Sequence, residues 1–192
     1  MEENFSPQQS LQLIQSMVEK TKANIADNGF YFLLWGWVAF FAFLSQYFLK
    51  VVLNYQQHYL AWLVAIPAVI FSIIYTRNKH RQSRVTTYIG ESMRHLSTGV
   101  GIAFFILVFI ISTQGGSAWL NAYPIFILLY GLGTFISGKI IRFTPLVIGG
   151  IFNWLLACAA AFVSYDYQLL ICAVAIFTSY IIPGYLLVNR KN

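Results

Sequence analysis

What most constrains this 192-residue chain is the placement of its 12 lysine and arginine residues. All but Lys50 fall in segments that alternate with Lys/Arg-poor ones between long apolar runs. The runs cover residues 30–49, 59–76, 97–113, 119–137, 143–163 and 168–188. Each is close to the ~20 residues that carry an α-helix across a ~30 Å hydrocarbon layer with every backbone hydrogen bond satisfied internally. The runs are continuously apolar, so the alternating pattern of a membrane β-barrel is excluded. Composition agrees: 58% of residues are hydrophobic and 9% charged, against roughly 25% charged in soluble domains. The expected fold is an all-α, polytopic membrane helical bundle of about six transmembrane helices. It divides into an amphipathic cytoplasmic helix over 1–28 and a six-span domain over 29–192, with a basic cytoplasmic connection at 77–96.

Lysine and arginine near the ends of spans are retained on the cytoplasmic side. Lys20 and Lys22 precede span one, and Arg77, Lys79, Arg81, Arg84 and Arg94 lie between spans two and three. Lys139 and Arg142 separate spans four and five, and Arg190 and Lys191 follow span six. Both termini are therefore expected in the cytoplasm. The opposite connections are short, which leaves no room for an external domain. A mostly polar stretch of 28 residues precedes a run long enough to span, so no cleavable signal peptide is expected. Topology accounts for the net charge of +6 without nucleic acid as a partner.

Two cytoplasmic segments carry helical periodicity. Ser6-Pro7-Gln8-Gln9 reads as an N-cap, a proline at N1 and a capping-box glutamine. After it Leu11, Ile14, Met17, Val18, Thr21 and Ile25 share one face, and Asn28-Gly29 supplies a stop. Between spans two and three, Val85, Tyr88, Ile89, Met93 and Leu96 keep the same spacing beside the cationic stretch RNKHRQSR. Both segments are expected at headgroup level, where apolar faces bury and cations meet anionic lipid. The alternative is an apolar face laid in a partner's groove. Leu11, Ile14, Met17, Val18 and Ile25, with Arg77, Lys79, Arg81 and Arg84, are the candidate lipid or partner surface.

Polar residues inside a membrane are costly and often mark function. Asn153 is the candidate intramembrane polar contact, on a face shared with Gly149, Ala157 and Ala161. Small residues around an amide read as a packing seam with an interhelical hydrogen bond. Gly131, Gly133, Thr134, Ser137 and Gly138 of span four offer a matching surface. Pro67 and Pro183-Gly184 are expected to break or bend spans two and six. Cys158 and Cys172 are expected to lie near one another as reduced thiols in a packed seam between neighbouring spans five and six. No catalytic set is visible: Glu91, His95 and His80 read as a solvated face, while His58 and Asp166 have no partner evident in the sequence. No metal site, phosphate loop or cofactor is expected.

The strings GxGTxxSGxxxxFxPLxxGG, over 131–150, and YIIPGYLL, over 180–187, resemble a group of small, uncharacterised bacterial membrane proteins. These have a polar N-terminal helix, here SLQLIQSMVEKTKANIADNGFYFLLWGW, and about six spans. The resemblance implies a bacterial cytoplasmic membrane and brings no established activity. By elimination, the expected function is noncatalytic: a regulatory or scaffolding component acting through protein or lipid contacts. Its expected partners are membrane lipid, a cytoplasmic or membrane protein, or a second copy of the chain. The alternative is a carrier or channel for a small, weakly polar or lipid-like solute, using Pro67, Pro183 and Asn153.

Overall fold

A computed structural model describes residues 29–82 and 88–189, with the side chains of 79–82 left out. The amphipathic segment over 1–28 lies outside the described residues, as do Arg84, Arg190 and Lys191. Among the described residues there are helices and no strands. We label them α1 Gly29–Val52, α2 Ala65–Gln82, α3 Tyr88–Thr113, α4 Ala122–Ile141, α5 Thr144–Ala160 and α6 Tyr165–Asn189. Tight 3-10 turns, His58–Val64 and Gly116–Asn121, lead into α2 and α4. The helical stretches of α1, α2, α3, α4 and α6 are long and apolar enough to cross a membrane. α5, at 17 residues, reaches roughly 25 Å at ~1.5 Å per residue and sits at the lower limit for a span.

Several boundaries differ from the sequence expectation, each for a local reason. Tyr88, Ile89, Met93 and Leu96 belong to the first turns of α3 rather than to a separate helix. Met93 is buried among Phe32, Ile141, Phe143, Leu146 and Leu187. Pro67 does not break a span: it stands third in α2, just after the 3-10 turn, where a missing N–H leaves no helical bond unmade. Pro183 does not end α6 either. It follows a π turn at Phe177–Ile181, and the wider turn absorbs the proline's missing donor while the helix continues.

The core is built from α1, α4, α5 and α6, held by close backbone approaches. A Cβ added at Gly150 would lie 2.7 Å from the backbone nitrogen of Phe135 and 2.8 Å from the carbonyl of Gly131; at Gly138 it would lie 2.7 Å from the nitrogen of Val147. The glycines thus let α4 and α5 run antiparallel almost backbone to backbone. Their connection is just as tight. Arg142 takes a left-handed conformation (φ 56°), and the N–H of Phe143 reaches back to the carbonyl of Gly138 at 2.8 Å, the bond pattern of a Schellman cap. A second seam joins α1 to α6, where Gly29 meets Val188, Gly184 meets Leu33 and Gly36 meets Ile181.

α2 and α3 stand outside this core. α2 touches α1 near both of its ends, through Trp62 against Phe43 in the preceding turn and through Tyr75 against Phe30 and Tyr31. Its outer residues Ile66, Val69, Ile70, Ile73 and Ile74 are exposed. α3 lies on α4 through Phe104 with Phe126 and Tyr130 and exposes Phe105, Ile106 and Phe109.

Gly150→Ala should destabilise the bundle by about 1–3 kcal/mol, because the neighbouring atoms are backbone or the Cβ of Phe135 and cannot rotate away. Gly99→Ala on α3, where an added Cβ meets nothing within 4 Å, should be neutral or stabilising by up to ~1 kcal/mol. Reversible unfolding in detergent compares the two, and equal effects would mean that the α4–α5 seam is not closed.

Candidate functional site

Polar side chains gather at two levels. The larger group centres on Gln46, which is 2% exposed near the C-terminal end of α1. Its Oε1 accepts from Trp62 Nε1 at 2.8 Å. Its Nε2 donates to Tyr123 Oη at 2.9 Å and lies 3.2 Å from His58 Nδ1 and 3.3 Å from Tyr165 Oη. The two tyrosine hydroxyls are themselves 3.3 Å apart. One amide therefore ties together α1, the turn before α2, and the first turns of α4 and α6. Beside it Lys50, in a π turn at Phe48–Val52, pairs with Asp166 and lies 4.2 Å from the centroid of the Tyr165 ring. Both members of this ion pair remain partly exposed, so it orients α1 on α6 more than it stabilises them.

The second level lies inside the core. Asn153 of α5 is fully buried and donates from Nδ2 to Ser179 Oγ at 3.0 Å. Ser179 donates in turn to the carbonyl of Ala175 at 2.6 Å. Here too the partner sits in a π turn, Phe177–Ile181. Gly149, one turn from Asn153, admits this stretch of α6: its added Cβ would be 3.0 Å from Ser179 Cα. Among the described residues, the amide oxygen of Asn153 has no hydrogen-bond partner, nor does that of Gln168, whose Nε2 donates to the carbonyl of Val163 at 3.1 Å.

The candidate residues fall as follows. Asn153 is at a helix seam, facing α6, whereas Gly131 and Gly138 of α4 pack against Gly150, Val147 and Trp154 of α5, and Gly133 faces Val100 of α3. Gly149 and Ala157 are buried with Asn153, but Ala161 is exposed. Cys172 is buried and Cys158 exposed, both as free thiols, so Cys158 is not in a packed seam: helical rotation turns it to the outer face of α5. Arg77 is exposed on α2. Lys79 and Arg81 have undescribed side chains, and Leu11, Ile14, Met17, Val18, Ile25 and Arg84 lie outside the described residues. Glu91 lies 3.9 Å from Arg94 and 3.7 Å from His95 on an exposed face. Among the described residues, no three histidine, cysteine or acidic side chains group as a metal site.

Sequence spacing alone assigns no role to Gln46 and no partner to His58 or Asp166. A signal is present in the spacing for one pair: Gln46 and Lys50 are four apart on α1, which puts both on one helical face. No family model matches this chain, and neither the curated proteins nor the solved structures contain a match.

Asn153→Ala and Ser179→Ala should each cost on the order of 1 kcal/mol, and the double variant should cost less than the two together because they share one bond. Unfolding of the four proteins in one detergent measures the coupling. Strict additivity would show that the amide and the hydroxyl act independently.

Proposed function

We propose that this is a noncatalytic integral membrane protein acting through protein or lipid contacts, a regulatory or scaffolding component. The observation that carries this reading is the close packing of its core helices. Backbone-to-backbone seams at Gly131, Gly138 and Gly150 leave no room for a side chain between α4 and α5. The core amide of Asn153 is engaged with Ser179 of the neighbouring helix. What the bundle offers outward is the exposed apolar surface of α2 and α3, together with Arg77 on α2. The carrier reading draws on one feature, the unpartnered amide oxygens of Asn153 and Gln168.

The proposed location is a bacterial cytoplasmic membrane with both termini inside. Supporting this, the described lysines and arginines divide between the two ends of the bundle. Lys50 is with the Gln46 group, while Arg94, Lys139 and Arg142 are on helix ends associated with the cluster of Phe32, Met93, Phe143 and Leu187, and Arg77 follows the contact of Tyr75 with Phe30. The richer end is assigned to the cytoplasm.

Two experiments test these assignments. A photocrosslinking residue at Ile70 or Phe105 should yield a discrete protein adduct in cells, whereas lipid-only adducts at both would remove the protein-contact reading. With Cys158 and Cys172 replaced, a cysteine at Ser117 should react with an impermeant thiol reagent from outside and one at Thr144 should not; the opposite result inverts the orientation.

A further inference from the structure

The hydrogen-bond chemistry around Gln46 determines a protonation state. An indole N–H is a donor only, so the atom of Gln46 that faces Trp62 at 2.8 Å must be the amide oxygen. The amide nitrogen then faces His58 Nδ1 at 3.2 Å. An amide nitrogen also only donates, so a hydrogen bond at this contact needs His58 Nδ1 as the acceptor, and that requires a neutral imidazole with its proton on Nε2. A protonated His58 would set an N–H against an N–H.

Gln46 has no other orientation that removes the conflict. Turning the amide to offer oxygen to His58 would aim its nitrogen at the indole donor of Trp62. The tyrosine hydroxyls adapt by rotating, whereas a charged imidazole has no acceptor to offer and an indole N–H only donates. The ionisable and charged groups around the imidazole are Lys50 on α1, Tyr123 on α4, Tyr165 and Asp166 at the start of α6, and neighbouring Tyr59 in its own turn. Lys50 and Asp166 pair with each other, which leaves the Gln46 amide as the nearest hydrogen-bond partner of Nδ1. His58 is itself half-buried and within reach of protons.

We propose that His58, Gln46 and Trp62 form a proton-sensitive latch that fastens the start of α2 to α1 and releases it when His58 is protonated. Release is local because α2 has a separate attachment near its other end. There Tyr31 donates to Thr76 Oγ1 at 2.7 Å, the threonine hydroxyl being committed to the carbonyl of Ser72, and Phe30 and Tyr31 pack on Tyr75. With the latch open, α2 pivots about that attachment, and its apolar middle has little core packing to hold it. The sign follows from the neutral imidazole: the latch contributes stability at high pH and loses it as the pH falls through histidine's titration range. On the orientation proposed above, the sensed pH is the external one, but the latch itself does not depend on that assignment.

The test uses the full chain in detergent, where both faces meet the same buffer, and reads the melting temperature at about pH 8 and about pH 5.5. The native protein should melt lower at the acidic pH. His58→Gln keeps an acceptor for Gln46 and removes the titration, so it should lose more than half of that difference. Trp62→Phe removes the indole donor, frees the amide to turn its oxygen toward a charged imidazole, and should also lose more than half of it while His58 still titrates. An acid-induced drop of native size in His58→Gln would overturn the latch. A native-sized drop in Trp62→Phe alone would overturn the locked amide on which it rests. Each variant is compared with itself at two pH values, so a general loss of stability does not imitate either result.

Discussion

The approach of α4 to α5 at Gly131, Gly138 and Gly150 is the constraint on which the rest of the bundle depends. In hydrocarbon, burying an apolar side chain against another helix gains nothing over burying it in lipid, so helices associate through contact area and a few polar bonds. Backbones can share that area only where side chains are missing. The two-residue turn at Arg142 and Phe143 brings the glycines into register. With α5 set so close to α4, an adjacent face about 100° round the helix reaches α6 through Gly149, and α6 reaches α1 through Gly184. Each seam positions the next.

Polar side chains then add selectivity to a contact that small residues alone would leave free to slide. Asn153 and Ser179 pin α5 to α6 within the core, and Gln46 does the same for four segments at one end. The two centres differ in character. The core bond joins two groups with fixed protonation and can serve only as a fastener. The end group includes an imidazole, whose accepting nitrogen is available in one charge state.

How much of this the sequence revealed depends on the length scale of the signal. Apolar run length and flanking charge mark the spans, since hydrocarbon thickness acts on some twenty residues at once. The small-residue string over 131–150 disclosed a seam but not its partners, because rotation about a helix axis is set by neighbours distant in the chain. Hence Gly131 was legible as a packing residue, while its contact with Gly150 and the pairing of Asn153 with Ser179 were not. Pro67 and Pro183 stand beside irregular turns within continuous helices, which the sequence does not specify. A proline breaks an ordinary helix interior, yet the 3-10 turn before one and the π turn before the other had already altered the local bonding. Lys50, His58 and Asp166 looked isolated because their partners are 116 and 12 residues away in sequence.

The π turn at Phe177–Ile181 has a further consequence for the shape of α6. Such a turn holds one residue more than the helical turn it replaces, so everything beyond it is rotated by about 100° relative to an uninterrupted helix. Upstream of the turn, Leu169, Cys172 and Ile176 are buried in the larger core cluster. Beyond it, Gly184 meets Leu33 and Leu187 joins Phe32. The turn thus acts as a phase shift in a printed pattern. It lets one helix present two differently aligned faces to its neighbours, and excising a single residue there would bring the halves into phase and turn Gly184 away from α1.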